Sequence, residues 1–192
     1  MTGIPRGGTP RSSDRWSQDV SGAKEGEAFV RRALNESSEI SAVDDLTTDM
    51  GSTDFRVRIP EVIDINLKEK RSRYTSSFVA PAKGVPQEEL FCVDEVYLRR
   101  AFASVHPFVL LVHDLTERRW LYYSMWTLLV APKVRFEREI KWHVAMLKGK
   151  VFYRISVADR STESFDVGVL VGVARSALAG AESLGSWRLG DR

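Results

Sequence analysis

Asp54, Asn66 and Lys68 are the residues of this chain whose types and spacing could do chemistry together. Around them, Phe55, Val57 and Ile59 alternate with Asp54, Arg56 and Arg58, and Ile63, Ile65 and Leu67 alternate with Asp64, Asn66 and Lys68. Side chains of a β-strand point alternately to its two faces, so each run predicts a strand with one apolar and one polar face. Every apolar position is odd and every polar one even. For both apolar sets to meet one core, residue numbers paired across the hairpin must sum to an even number. That requires an odd-numbered loop, for instance Pro60, Glu61 and Val62, and it sets Asp54 opposite or diagonal to Asn66 and Lys68. Metal-assisted phosphodiester hydrolysis needs oxygen ligands for a divalent cation and a positive group near the developing charge. This hairpin offers both. A polar hairpin face is also the usual solvent face of an antiparallel pair, and that reading stands beside the chemical one.

The remaining elements must hold the hairpin in place. Phe29, Val30, Ala33 and Leu34 form a stripe at helical spacing, so a helix begins near Lys24, with Glu27 at the stripe's edge. A short strand is expected at Ile40–Val43, and a polar loop over residues 72–87. Another short strand falls at Phe91–Val93, then a helix through Val96, Leu98 and Phe102 with Asp94 as its N-cap. Phe108–His113 is a continuous apolar run, hence a strand buried on both faces. Trp120–Trp126 is its hairpin partner, and Val151–Val157 alternates as a further strand. Residues 131–150 are basic and mixed in pattern, and a last amphipathic helix runs from about Ser161 to Leu178. The order predicts α/β or α+β, with helices packed on a mixed sheet.

Length and composition bound the rest. The 192 residues suffice for one domain, and a formal net charge of +2 does not announce a nucleic-acid binder. Arg outnumbers Lys by 20 to 8, as phosphate binding or a GC-rich genome would each produce. A single Cys92 excludes an internal disulfide and fits a reducing compartment. No apolar run reaches the ~20 residues of a membrane span, and residues 1–18 lack the apolar core of a secretory signal. The expectation is a cytoplasmic protein with a disordered tail over 1–22, one domain over 23–180 and a flexible tail over 181–192. His106, His113 and His143 lack zinc-ligand spacing, and no Walker A, GxSxG or GxGxxG motif occurs, so no nucleotide cofactor is expected.

Taken together, GEAFVRRAL, STDFRV and VIDINLKEK resemble the PD-(D/E)XK nuclease superfamily, and within it a bacterial domain family of unknown function. HPFVLLVHDLTERRWLYYSMW is similar to the family's later hairpin, and VFYRISVADRST to its closing strand, so the likeness covers about residues 24–178. The resemblance implies a restriction-endonuclease-like core and a Mg²⁺- or Mn²⁺-dependent endonuclease acting on DNA in restriction, repair or defence. Asp54 would be a metal ligand, and Glu27 would bind the metal directly or through water. Lys68 would position the attacking water or stabilise the phosphate's developing charge. Asn66 departs from the pattern, which prefers Gln or an acid there. Asn is shorter and uncharged, and Asp64, two residues away on the same face, is the candidate substitute. Ser52-Thr53-Asp54 also departs from the family's Gly-apolar-Asp.

Lys70, Arg71 and Arg73 beside Lys68, and Lys141 in the basic stretch, are the candidate phosphate contacts; each is otherwise a solvated charge. Cutting both strands of a duplex would call for a homodimer. The alternatives are a descendant that lost catalysis and kept nucleic-acid binding, or a protein-interaction module presenting Tyr122, Tyr123 and Trp126 on an edge strand.

Overall fold

The computed structural model describes residues 13–48, 53–74, 80, 82, 84–139 and 147–189. Helix α1 (Ser13–Glu36) precedes three strands, β1 (Ala42–Asp45), β2 (Phe55–Ile59) and β3 (Glu61–Lys70). After a short 3-10 turn come β4 (Leu90–Asp94), α2 (Glu95–Phe102), β5 (Phe108–Asp114), β6 (Arg119–Ser124) and α3 (Met125–Val130). The chain continues through β7 (Lys133–Glu139), β8 (Leu147–Arg154), β9 (Arg160–Thr162) and α4 (Val167–Leu189). The fold is α+β, with a mixed six-stranded sheet ordered β1-β2-β3-β5-β6-β9 and a second sheet ordered β4-β8-β7.

The hairpin follows the parity rule. Phe55 pairs with Ile65, Val57 with Ile63 and Ile59 with Glu61, so paired numbers sum to 120 and only Pro60 lies between the last pair. The turn is two residues tighter than Pro60-Glu61-Val62, and parity is unchanged. β3 pairs parallel with β5, and α2 lies on the connection between them.

Odd residues of the central strands face one core. Phe55, Val57, Ile63, Ile65, Leu67, Val109 and Leu111 pack with Val30 and Leu34 of α1 and with Leu170, Val171 and Ala174 of α4. Even residues of β5, Phe108, Leu110 and Val112, face a second core with Leu98 and Ala101 of α2, Leu128 of α3, and Phe91, Val151 and Tyr153 of the second sheet. β5 is therefore apolar from Phe108 to Val112 because both its faces are covered there. The even face of β3 lies on that second side, where Asp64 is 1% and Asn66 0% exposed. It is not a solvent face. A buried polar row in a central strand is the informative exception to the usual placement of polar groups.

Several boundaries differ from the expectation. α1 starts at Ser13, so part of the expected disordered tail is helical. α4 runs to Leu189, past the start of the expected C-terminal tail, and begins six residues later than Ser161. The basic stretch 131–150 supplies β7 and the first half of β8, because Lys and Arg on an alternating strand hide the apolar period. Asp94 makes no capping bond to α2; its carboxylate meets Lys150 instead. Among the described residues, no helix is long and apolar enough to cross a membrane.

Candidate functional site

β2 begins at Phe55, and its last pair with β3 is Phe55–Ile65, so β3 continues beyond β2 toward Lys70. At this step Asp54 takes over the edge of β3. Its backbone N–H donates to the Ile65 carbonyl at 3.1 Å, and its Oδ2 accepts the Leu67 N–H at 2.6 Å. The carboxylate thus satisfies a strand N–H that β2 no longer reaches.

Three of the expected residues meet here. Burial raises the Asp54 carboxyl above its ordinary range, against the lowering effects of Lys68 and the Leu67 N–H, with Asp45 adding to the rise. Glu27 approaches from α1. Burial raises it too, and the charges of Asp54, Asp45 and Glu69 push in the same direction while Lys68 opposes them. The charges of Asp54 and Lys68 act on Glu27 and that of Lys68 acts on Asp54, so the three share one electrostatic neighbourhood. The Lys68 ammonium stands 4.1 Å from the centroid of the Tyr97 ring.

Asn66 lies deeper. Among the described residues neither of its buried amide atoms has a hydrogen-bond partner, and the same holds for the hydroxyl of Tyr97. Burial holds that hydroxyl well above its ordinary value, with Asp54 and Asp64 adding to the effect, so it stays a donor at working pH. Tyr97 was invisible in the sequence: it is one aromatic in a helix otherwise read for its Val96–Leu98–Phe102 stripe. Its only signal was a place on the crossover between the two central strands.

Asp64 does not take the role of a spare metal ligand. Arg56 Nε donates to Oδ1 at 2.8 Å, Thr53 Oγ1 to Oδ2 at 3.1 Å and Ser104 Oγ to Oδ2 at 3.0 Å. Both oxygens are occupied by structural bonds.

Nor is Lys70 a phosphate contact. It is 4% exposed, and its ammonium lies 3.3 Å from Asp114 Oδ2 and 3.4 Å from the Glu88 carbonyl. Arg71 is turned onto Glu69, and Arg73, 66% exposed, lies 3.6 Å from Glu117. Lys141 falls outside the described residues. The expected aromatic edge also fails. β6 lies between β5 and β9, Tyr122 and Tyr123 are buried, and the Trp126 indole N–H donates to the Ala177 carbonyl at 2.8 Å.

Among the described residues, no group of three or more His, Cys, Asp or Glu side chains is placed to hold a metal ion. What fits a divalent cation is the charge. Burial raises both carboxylates, with Asp54, Asp45 and Glu69 adding to the rise of Glu27 and Asp45 to that of Asp54, as would be the case where a cation is the natural counter-charge. Mg²⁺ is commonly held by one or two carboxylates, its other positions filled by water and phosphate oxygens. Asp54 and Glu27 are the two carboxylates that would serve in that way, while Asn66 is wholly buried. No protein-family profile, curated protein or solved structure matches the chain.

Proposed function

We propose that this protein is a metal-dependent DNA endonuclease of the PD-(D/E)XK type. The observation that carries this reading is that Asp54 closes onto β3 where β3 outruns β2, with the charges of Asp54 and Lys68 acting on Glu27 from separate stretches of chain. A mixed sheet flanked by helices supports the restriction-endonuclease-like form of the fold. Mg²⁺ or Mn²⁺ would be held by Asp54 and Glu27, and would supply Lewis-acid activation of the phosphate and its attacking water. Lys68 holds a positive charge beside these carboxylates, where a phosphoryl oxygen gains negative charge. The Tyr97 ring fixes the direction of that ammonium through a cation–π contact. A homodimer would carry the cut through both strands.

A second reading is favoured by one observation: the position for the missing acid holds Asn66, fully buried and unpaired, while Asp64 is tied down. On that reading the fold is a non-catalytic nucleic-acid-binding or interaction module. Incubating the purified protein with linear and single-stranded DNA in Mn²⁺, beside Lys68→Ala, separates the two. Cleavage lost in the variant supports the nuclease; intact DNA with salt-dependent binding supports the module; neither cleavage nor binding removes both nucleic-acid readings.

A further inference from the structure

The face of the sheet that carries Lys68 is covered unevenly. Over β3 it lies beneath α2, whereas on β2 the odd residues are buried and the even ones open, Arg56 partly exposed and Arg58 exposed. Arg56 is committed: it bonds Asp64 and stands opposite Asp44 of β1. Arg58 is not. Its cross-strand neighbours are Ala42 and Val62, and no carboxylate pairs with it among the described residues. Arg100 is its counterpart on α2. It follows Tyr97 by three residues and precedes Ser104 by four, so the three share one flank of the helix. Tyr97 touches Lys68, its hydroxyl feels Asp54 and Asp64, and Ser104 bonds Asp64, so that flank is turned toward β3 and its Asp54 edge. Glu95 is engaged elsewhere, by Arg99 and Arg135. Arg100 is exposed and has no carboxylate partner among the described residues.

Two guanidinium groups without a local counter-charge therefore stand on the same face as Lys68, beside the candidate site. Arg58 is four residues along β2 from Asp54, about 13 Å at strand rise. Arg100 overlooks the step between them from α2. We propose that Arg58 and Arg100 bind phosphates of the nucleic-acid strand whose reacting phosphate lies at Lys68, so that the strand runs along the open face of β2 beside α2. A guanidinium fork matches phosphate oxygens, and such contacts set the position of a strand without reading its bases. Cations spread along a line from Lys68 suit a partner that repeats its negative charge; a single small anion would reach one of them. This inference rests on the nucleic-acid reading of the site.

Fluorescence anisotropy of a labelled single-stranded oligonucleotide in EDTA, taken through a salt series, tests it without any cleavage. Arg58→Gln and Arg100→Gln should each lower the log–log slope by about 0.7, one phosphate contact on a single strand, and the double variant by about 1.4. Arg32→Gln is the control. It removes the same charge from an exposed position on α1, which packs on the other face of the sheet, and should leave the slope unchanged. An unchanged slope in Arg58→Gln or Arg100→Gln, or an equal fall in Arg32→Gln, overturns the track even where the wild type cuts DNA in Mn²⁺. Slopes that fall only in the two β2-side variants, in a protein that leaves DNA intact, support the track while removing the nuclease. A wild type that binds no DNA overturns both.

Discussion

Replacing Asp114 by Ala should destabilise the protein more than any change at the candidate site. Asp114 and Lys70 are both almost wholly inside, 3.3 Å apart. Asp114 has other partners: Thr116 Oγ1 donates at 2.6 Å, the Thr116 N–H at 3.2 Å and Arg119 Nε at 3.4 Å. Lys70 has little else, with the Glu88 carbonyl at 3.4 Å and the Tyr74 ring 5.6 Å away. Losing one member of a buried pair costs about 3–5 kcal/mol because the survivor keeps an uncompensated charge. Asp114→Ala strands Lys70 and should cost that much. Lys70→Met leaves Asp114 satisfied by Thr116 and by Arg119, which reaches solvent, and should cost about 1.5–2 kcal/mol, the worth of one charge-assisted bond. The double variant removes the stranded charge and should be more stable than Asp114→Ala alone.

Urea unfolding at neutral pH measures all three, with equal m-values showing that the same surface is exposed. The acid limb adds a check. Burial pushes the Asp114 carboxyl up, but Thr116, Lys70 and Arg119 outweigh it and hold it below its ordinary value. A lowered carboxyl stabilises the fold above the pKa it has when unfolded, and that contribution is lost as pH falls through the folded value. Asp114→Ala should therefore lose less stability on acidification than the wild type. Equal costs for Asp114→Ala and Lys70→Met, or a double variant no better than Asp114→Ala, would refute this account of Lys70 as a structural ion.

Four further outcomes are expected, three bearing on the site or its DNA contacts and one on the cap of α3. Glu27 and Asp54 are raised, so the folded state binds more protons than the unfolded one above the ordinary carboxylate pKa, and stability should fall as pH rises through that window; Glu27→Gln should flatten the fall in a urea-melt pH series. Asn66→Asp should destabilise the metal-free protein by about 1–3 kcal/mol as a buried unpaired acid, and millimolar Mn²⁺ should restore stability through binding to the folded state; a thermal shift indifferent to Mn²⁺ would count against a metal there. In DNA-binding salt titrations Arg73→Ala should lower the log–log slope by about 0.9, one phosphate contact, while Lys70→Met should leave it unchanged because Lys70 is buried. Ser124 accepts the Thr127 N–H at the start of α3, so Ser124→Ala should cost about 1 kcal/mol in the same unfolding assay.

The sequence by itself determined the hairpin and its parity. Period two in 54–59 and 63–68 leaves one way to place both apolar sets in one core, and β2–β3 pair in that way. The both-sides burial of β5 and the spacing of Val30 and Leu34 on α1 were legible for the same reason: each is a local period that burial imposes on residue type. Only the tertiary structure decided what the polar residues do. Alternation says that Asp64, Asn66, Lys68 and Lys70 share a face; it cannot say that α2 and the second sheet cover that face. That cover turns Asp64 into an anchor for Arg56, Thr53 and Ser104, closes Asn66 away and makes Lys70 an internal ion. Tyr97 acts on the site from α2, an element remote in sequence, through a ring contact that leaves no period behind. Burial writes itself into the order of residues, whereas a pairing between distant side chains depends on which elements pack together, and that is settled only when the chain has folded.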